Sequence, residues 1–338
     1  MIYKNVEIHN IGALLDGEEK GCVKWLRVPE NVYESLATDQ GKRMSENMTG
    51  VELRFVMESD TVTLKIRTRG KHGIFHVYRG SIQGGFEDHE NDKIFTNEIE
   101  EYVIKKSANL PVLKKMTEDF NQPFSPEVVR VIFDKGGVEI ADIIGDVRPP
   151  KKEELPDKTF IAYGSSITHG SNSIDMSHSW VSVLAHNLKM DCINKGMAGS
   201  CLMEPEMIEY IAKMGENSEW DMAVLELGIN ALGWEKEKII TRVTNTITQI
   251  AGRNPDKKIF VISPFYSYDD YKNEGHSKKW RTLIEQIVNE LNYSNVTYIN
   301  GLDMLGDMSL MSADEVHPNI YGVAQIAERL EKVIKENM

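Results

Sequence analysis

Two hydrophobic periodicities divide the chain. Over residues 51–57, Val51, Leu53, Phe55 and Met57 alternate with Glu52, Arg54 and Val56. Over 61–67, Val62, Leu64 and Ile66 alternate with Thr61, Thr63, Lys65 and Arg67. A period of two puts one side of each strand in a core and the other in water, as in an antiparallel sheet. Segments 74–78, 101–105, 128–133 and 137–143 predict further strands, with turns supplied by Gly70, Gly73, Gly80, Gly84, Gly85, Gly136 and Gly137. Many short strands joined by glycine turns predict an all-β sandwich, jelly-roll-like, over residues 1–148.

The pattern breaks at residues 149–157, where Pro149, Pro150 and Pro156 stand among Lys151, Lys152, Glu153, Glu154 and Asp157. Proline fixes φ and removes a donor, so this stretch predicts a stiff, solvated linker between two domains. Beyond it, short apolar runs at 159–163, 190–194, 222–227, 258–263 and 296–300 alternate with helical periods at 179–189, 205–214, 235–253, 277–291 and 318–335. Apolar runs without alternation fit parallel strands covered on both faces, and five βα units predict a doubly wound α/β domain over 158–338. Such sheets carry their chemistry at the carboxyl ends of the strands.

Bulk properties narrow the function classes. The net charge of −13 repels polyanions, and no Lys/Arg stripe with interleaved aromatics offsets it, so no nucleic-acid partner is expected. No window approaches the ~20 apolar residues of a membrane span. The three cysteines, Cys22, Cys192 and Cys201, match neither a disulfide framework nor a zinc pattern and fit a reducing compartment. The first residues hold no basic stretch followed by an apolar run. A cytoplasmic protein without a signal peptide is the expectation.

Four short motifs fall at predicted strand ends or before the last helix. Gly164-Ser165-Ser166-Ile167-Thr168-His169-Gly170 follows the first parallel strand and puts a serine hydroxyl at the sheet edge. Thr168 stands where a G-x-S-x-G elbow has its second glycine. Asn194-Lys195-Gly196-Met197-Ala198-Gly199 follows the second strand, and its two glycines let backbone N–H groups approach a ligand. Leu225-Glu226-Leu227-Gly228-Ile229-Asn230 follows the third, where an asparagine amide can donate to a developing oxyanion. In Asp314-Glu315-Val316-His317-Pro318, the aspartate can fold back onto one ring nitrogen of His317 and leave the other to take a proton. Taken singly, each has a plainer reading: a phosphate-binding or simple turn, a strand-to-helix turn, a helix cap, a surface histidine.

Together and in this order, the motifs resemble the SGNH (GDSL) hydrolase superfamily over residues ~157–338. The variant Tyr163-Gly164-Ser165-Ser166-Ile167-Thr168-His169-Gly170 is similar to a subgroup of platelet-activating-factor acetylhydrolase-like proteins with an N-terminal β-sandwich. The resemblance implies a flavodoxin-like three-layer α/β/α domain with a five-stranded parallel sheet. It implies Ser166 as nucleophile, His317 as base and Asp314 as its orienting acid. It implies the Ser166 N–H, the Gly199 N–H and the Asn230 amide as an oxyanion hole, with no metal and no organic cofactor. Ser165 replaces the family's usual aspartate, so a loop-stabilising carboxylate is expected to be missing. Ala231 replaces an aspartate that often follows Asn230, which is expected to loosen that loop.

The expected function is that of a serine esterase cleaving a small acyl ester, acetyl foremost, on a carbohydrate or other polar alcohol. Two rivals are an acyltransferase using the same triad and a non-catalytic carbohydrate-binding protein. His169 is a candidate for lining the acyl pocket and His178 for its rim, while Trp180 is expected in the core. His72 and His76 have a metal-compatible spacing on one strand, but a solvated strand face is the preferred reading. For the acidic segment 87–92, a solvated turn is preferred to a calcium loop.

Overall fold

The computed structural model describes residues 1–85 and 93–338, which form two compact units. The first comprises residues 1–33, 45–157 and 189–191; the second comprises 34–44, 158–188 and 192–338. The division therefore does not follow the order of the chain, and residues 34–44 belong to the second unit.

The first unit is a sandwich of two antiparallel sheets. One sheet runs Ile2–Tyr3, Val6–His9, Glu52–Met57, Val128–Phe133, His72–Arg79 and Ile82–Gln83 in spatial order. The other runs Glu100–Lys105, Thr61–Thr68, Val138–Ile144, Val23–Leu26 and Ala13–Asp16. Leu53, Phe55, Val77 and Val131 of the first sheet share one core with Trp25, Leu64, Ile66 and Ile140 of the second. The wet face expected of residues 51–57 is not wet: every residue of Glu52–Met57 is buried. This strand lies inside its sheet, and its charges are paired within the fold. The Glu52 carboxylate accepts from Arg54 Nε at 2.8 Å and from Arg130 Nε at 2.7 Å, and Phe124 covers Arg130 at 4.0 Å. The proline-rich stretch also has structure. A 3₁₀ turn at Lys152–Glu154 is fixed by a two-pronged pair in which Arg148 donates to Glu154 at 2.6 and 2.8 Å.

The second unit is a doubly wound α/β fold. Its five parallel strands are Thr159–Tyr163, Asp191–Asn194, Met222–Glu226, Lys258–Ile262 and Val296–Ile299. Their spatial order is second, first, third, fourth, fifth. The main helices are Trp180–Leu188, Pro205–Glu216, Lys236–Arg253, His276–Leu291 and Ile320–Asn337. Each buries one stripe; in Lys236–Arg253 its spine is Ile239, Val243, Ile247 and Ile250, three or four residues apart, flanked by Thr246 and Ala251. The chain reverses its direction of winding between the first and third strands, which are neighbours. A crevice opens at the carboxyl ends of the strands at such a point, and three of the four motifs follow the strands around it. No helix among the described residues is long and apolar enough to cross a membrane.

Candidate active site

The first parallel strand stops at Tyr163, and a four-residue helix, Ser166–His169, begins three residues later. Ser165 caps it, its Oγ accepting from the Ile167 N–H at 3.2 Å, and Gly170 closes it at φ 93°. Gly164 is required by close approach: a Cβ there would lie 2.2 Å from Thr168 Oγ1 and 2.7 Å from Glu226 Oε2. Glu226 ends the neighbouring third strand and is fully buried. Its Oε2 accepts from the Ser165 N–H at 2.7 Å, the Ser165 hydroxyl at 2.7 Å and the Thr168 hydroxyl at 3.1 Å. Burial pushes its carboxyl up to about 7, against the hydrogen bonds from Ser165 and Thr168, which lower it. The expectation that this loop lacks a supporting carboxylate is therefore overturned: the carboxylate comes from the adjacent strand. A charged residue at the end of an apolar run was the available signal.

Ser165 is fully buried and spent on Glu226 and the helix cap, whereas Ser166 faces the histidine. Ser166 Oγ lies 2.7 Å from His317 Nε2, and His317 Nδ1 lies 2.7 Å from Asp314 Oδ2. With Nδ1–H donating to the carboxylate, Nε2 accepts from the serine hydroxyl. The loop that holds this pair folds on Asp314, whose Oδ1 accepts from the Val316 N–H (3.1 Å), the His317 N–H (2.9 Å) and the Ser312 hydroxyl (2.9 Å). Asn172 adds a donor to Oδ2 at 2.6 Å. Partial burial raises the Asp314 carboxyl, but the hydrogen bonds from His317, Val316 and Ser312 outweigh it and hold the group well below the usual carboxylate range. Pro318 and the cap Asn319 keep His317 outside the helix, which starts at Ile320.

The Gly199 and Ser166 N–H groups donate to no described residue. Gly199 sits at φ 66°, and its peptide is held from the other side: Gln40 Nε2 donates to the Ala198 carbonyl at 2.8 Å. Asn230 lies on a 3₁₀ turn, Ile229–Ala231, entered through Gly228 at φ 109°. Its Oδ1 accepts from the Cys201 N–H at 3.0 Å, which fixes which end of the amide is the acceptor and leaves Nδ2 as its donor. Ala231 is buried within this turn. The other motif glycine, Gly196, was expected to admit a ligand; it admits the chain itself, since a Cβ there would lie 2.3 Å from the His169 backbone nitrogen.

The sequence model of the GDSL-like lipase/acylhydrolase family matches residues 157–335. The chain belongs to this family. No curated protein sequence matches it. Salicylyl-acyltransferase SsfX3, from a tetracycline biosynthetic pathway, is similar in structure at 15% identity, with 98% of this chain and 95% of that one covered and a TM-score of 0.76. A family two carbohydrate esterase from Cellvibrio japonicus is similar at 11% identity, with 99% and 96% covered and a TM-score of 0.65. A family two carbohydrate esterase from Clostridium thermocellum, solved with cellohexaose, is similar at 18% identity, with 98% of each chain covered and a TM-score of 0.59. At these identities the likeness is one of fold.

The remaining candidates of this GDSL-family chain fall elsewhere. His169 is buried at the end of the Ser166 helix, its N–H donating to the Ser165 carbonyl at 2.9 Å. Trp180 is fully buried. His178 is exposed and pairs with Asp175 at 3.0 Å. His72 is exposed but His76 is buried, so the solvated face expected of both holds for one. Segment 87–92 lies outside the described residues. Asp269, Glu274 and His276 bring one ligand-type atom each within 4.8 Å of one another. Sequence reasoning missed Glu226, Gln40 and Asn172, whose partners are 61, 158 and 142 residues away.

Proposed function

We propose that the protein is a serine esterase that removes a small acyl group, acetyl foremost, from a carbohydrate or other polar alcohol. The observation that carries this reading is the chain of contacts from Ser166 Oγ to His317 Nε2 and from His317 Nδ1 to Asp314, each 2.7 Å. His317 takes the Ser166 proton as Oγ attacks the ester carbonyl. The tetrahedral oxyanion is held by the N–H groups of Ser166 and Gly199 and by the Asn230 amide. Collapse expels the alcohol, which takes the proton from His317. Water, deprotonated by His317, then cleaves the acyl-enzyme and regenerates the serine.

Hydrolysis is favoured over transfer because the base is open to water: the side chains of His317 and Asp314 are 22% and 42% exposed. A polar alcohol is favoured by the two-part fold shared with the family two carbohydrate esterases. The test is turnover of p-nitrophenyl acetate and butyrate, and of acetylated sugars, by wild type and Ser166→Ala. We expect acetate turnover by wild type and a loss on the order of 10⁶-fold in the variant. Equal rates in both proteins would sink the hydrolase reading and bring a carbohydrate-binding role forward.

A further inference from the structure

We propose that Glu226 is the positioning residue for the nucleophile: it clamps the loop on either side of Ser166 and so sets the direction of both the Ser166 hydroxyl and the Ser166 N–H. The inference rests on the reading of Ser166 as nucleophile and adds a second, buried layer to it. Glu226 Oε2 binds Ser165, which precedes the serine, and Thr168, which follows it by two residues. With both flanks tied to one atom, the intervening backbone has little freedom to turn. The backbone that carries it is held in the sheet, because Glu226 lies in register with Ile262 and follows Leu225, which is paired to both Tyr163 and Val261. Gly164 leaves the space through which the carboxylate reaches the loop.

A packing role alone does not call for this residue. The strand positions before it, Ala223, Val224 and Leu225, are buried and apolar, and burying a carboxyl costs free energy unless its hydrogen bonds are used. No lysine or arginine forms an ion pair with Glu226 among the described residues. Among the described residues its side-chain hydrogen bonds all fall on Oε2 and all go to the loop around Ser166, while its other oxygen, Oε1, is buried with no hydrogen bond. Ser165 caps the Ile167 N–H, a position that favours aspartate, so Ser165→Asp returns a carboxylate to this loop at a place the helix accepts.

The experiment compares kcat and KM for p-nitrophenyl acetate, with thermal unfolding alongside, in wild type, Ser166→Ala, Glu226→Gln and the double variant Ser165→Asp/Glu226→Gln. A misdirected serine should cost Glu226→Gln about 10²-fold in kcat while KM changes by less than about threefold. Restoring the carboxylate in the double variant should return kcat by about tenfold or more. Thr168→Val, which removes one donor and no charge, should lower kcat severalfold at constant KM, and it decides the matter if Glu226→Gln does not fold. Wild-type kcat in a folded Glu226→Gln or Thr168→Val, or a folded double variant no faster than Glu226→Gln, would overturn the clamp. Undiminished activity in Ser166→Ala would instead overturn the nucleophile itself, whatever the other variants do.

Discussion

At the scale of the residue, one peptide unit joins Gln40 to the proposed oxyanion hole. The Ala198 carbonyl and the Gly199 N–H lie in the same rigid plane and point in opposite directions. A donor on the carbonyl therefore steers the N–H without touching substrate, and Gln40 is that donor. Gln40→Ala should lower kcat about tenfold with KM near wild type; steady-state kinetics would show it, and an unchanged kcat would remove the role. Legibility at this scale follows distance along the chain. Asp314 and His317 could be placed together from their spacing of three. The meeting of Ser166 with His317, 151 residues apart, came only from resemblance to a family. Gln40 was invisible because no local pattern marks a side chain whose purpose is a partner far along the sequence, and Glu226 showed only as a charge in an apolar run, with nothing local to name its partner.

At the scale of the element, the Ser166–His169 helix is seated on the loop after the second strand. Gly196 presses against the His169 backbone, and Asn194 Nδ2 donates to the Thr168 carbonyl at 2.8 Å. Gly196→Ala drives a methyl into main chain that has no side chain to move, and should cost about 1–3 kcal/mol of stability. Denaturant unfolding would measure it; an unchanged midpoint would mean the two loops can part freely. The five parallel strands and their helices were legible because buried strands and amphipathic helices write different periods into the sequence. The first fifty residues were not, since their strands are only two to four residues long. The alternation in Glu52–Met57 located the core face but misjudged the other, because Glu52 and Arg130 neutralise one another within the fold. A charged position marks water only when its partner is water.

At the scale of the whole molecule, two carboxyls pull stability in opposite directions with pH. Glu226 has a folded pKa raised to about 7 from 4.5, so its contribution is fully present below 4.5 and is lost as pH rises through about 7. Asp314 is lowered, so its contribution is present above its ordinary value of 3.8 and is lost as pH falls. The difference in Tm between wild type and Glu226→Gln should therefore shift in favour of the variant between pH 5 and pH 8; a difference independent of pH would mean that Glu226 does not titrate there. The chain's two units also interleave in sequence, since residues 34–44 belong with residues 158–188 and 192–338. A recombination joint at the proline-rich stretch would carry over the entire family block, 157–335, yet leave Gln40 behind with the other parent. Its product would inherit serine, histidine and aspartate but a Gly199 that nothing steers. On the role proposed for Gln40, the two halves are not free cassettes: an exchange at that joint works only where the incoming half brings an equivalent donor.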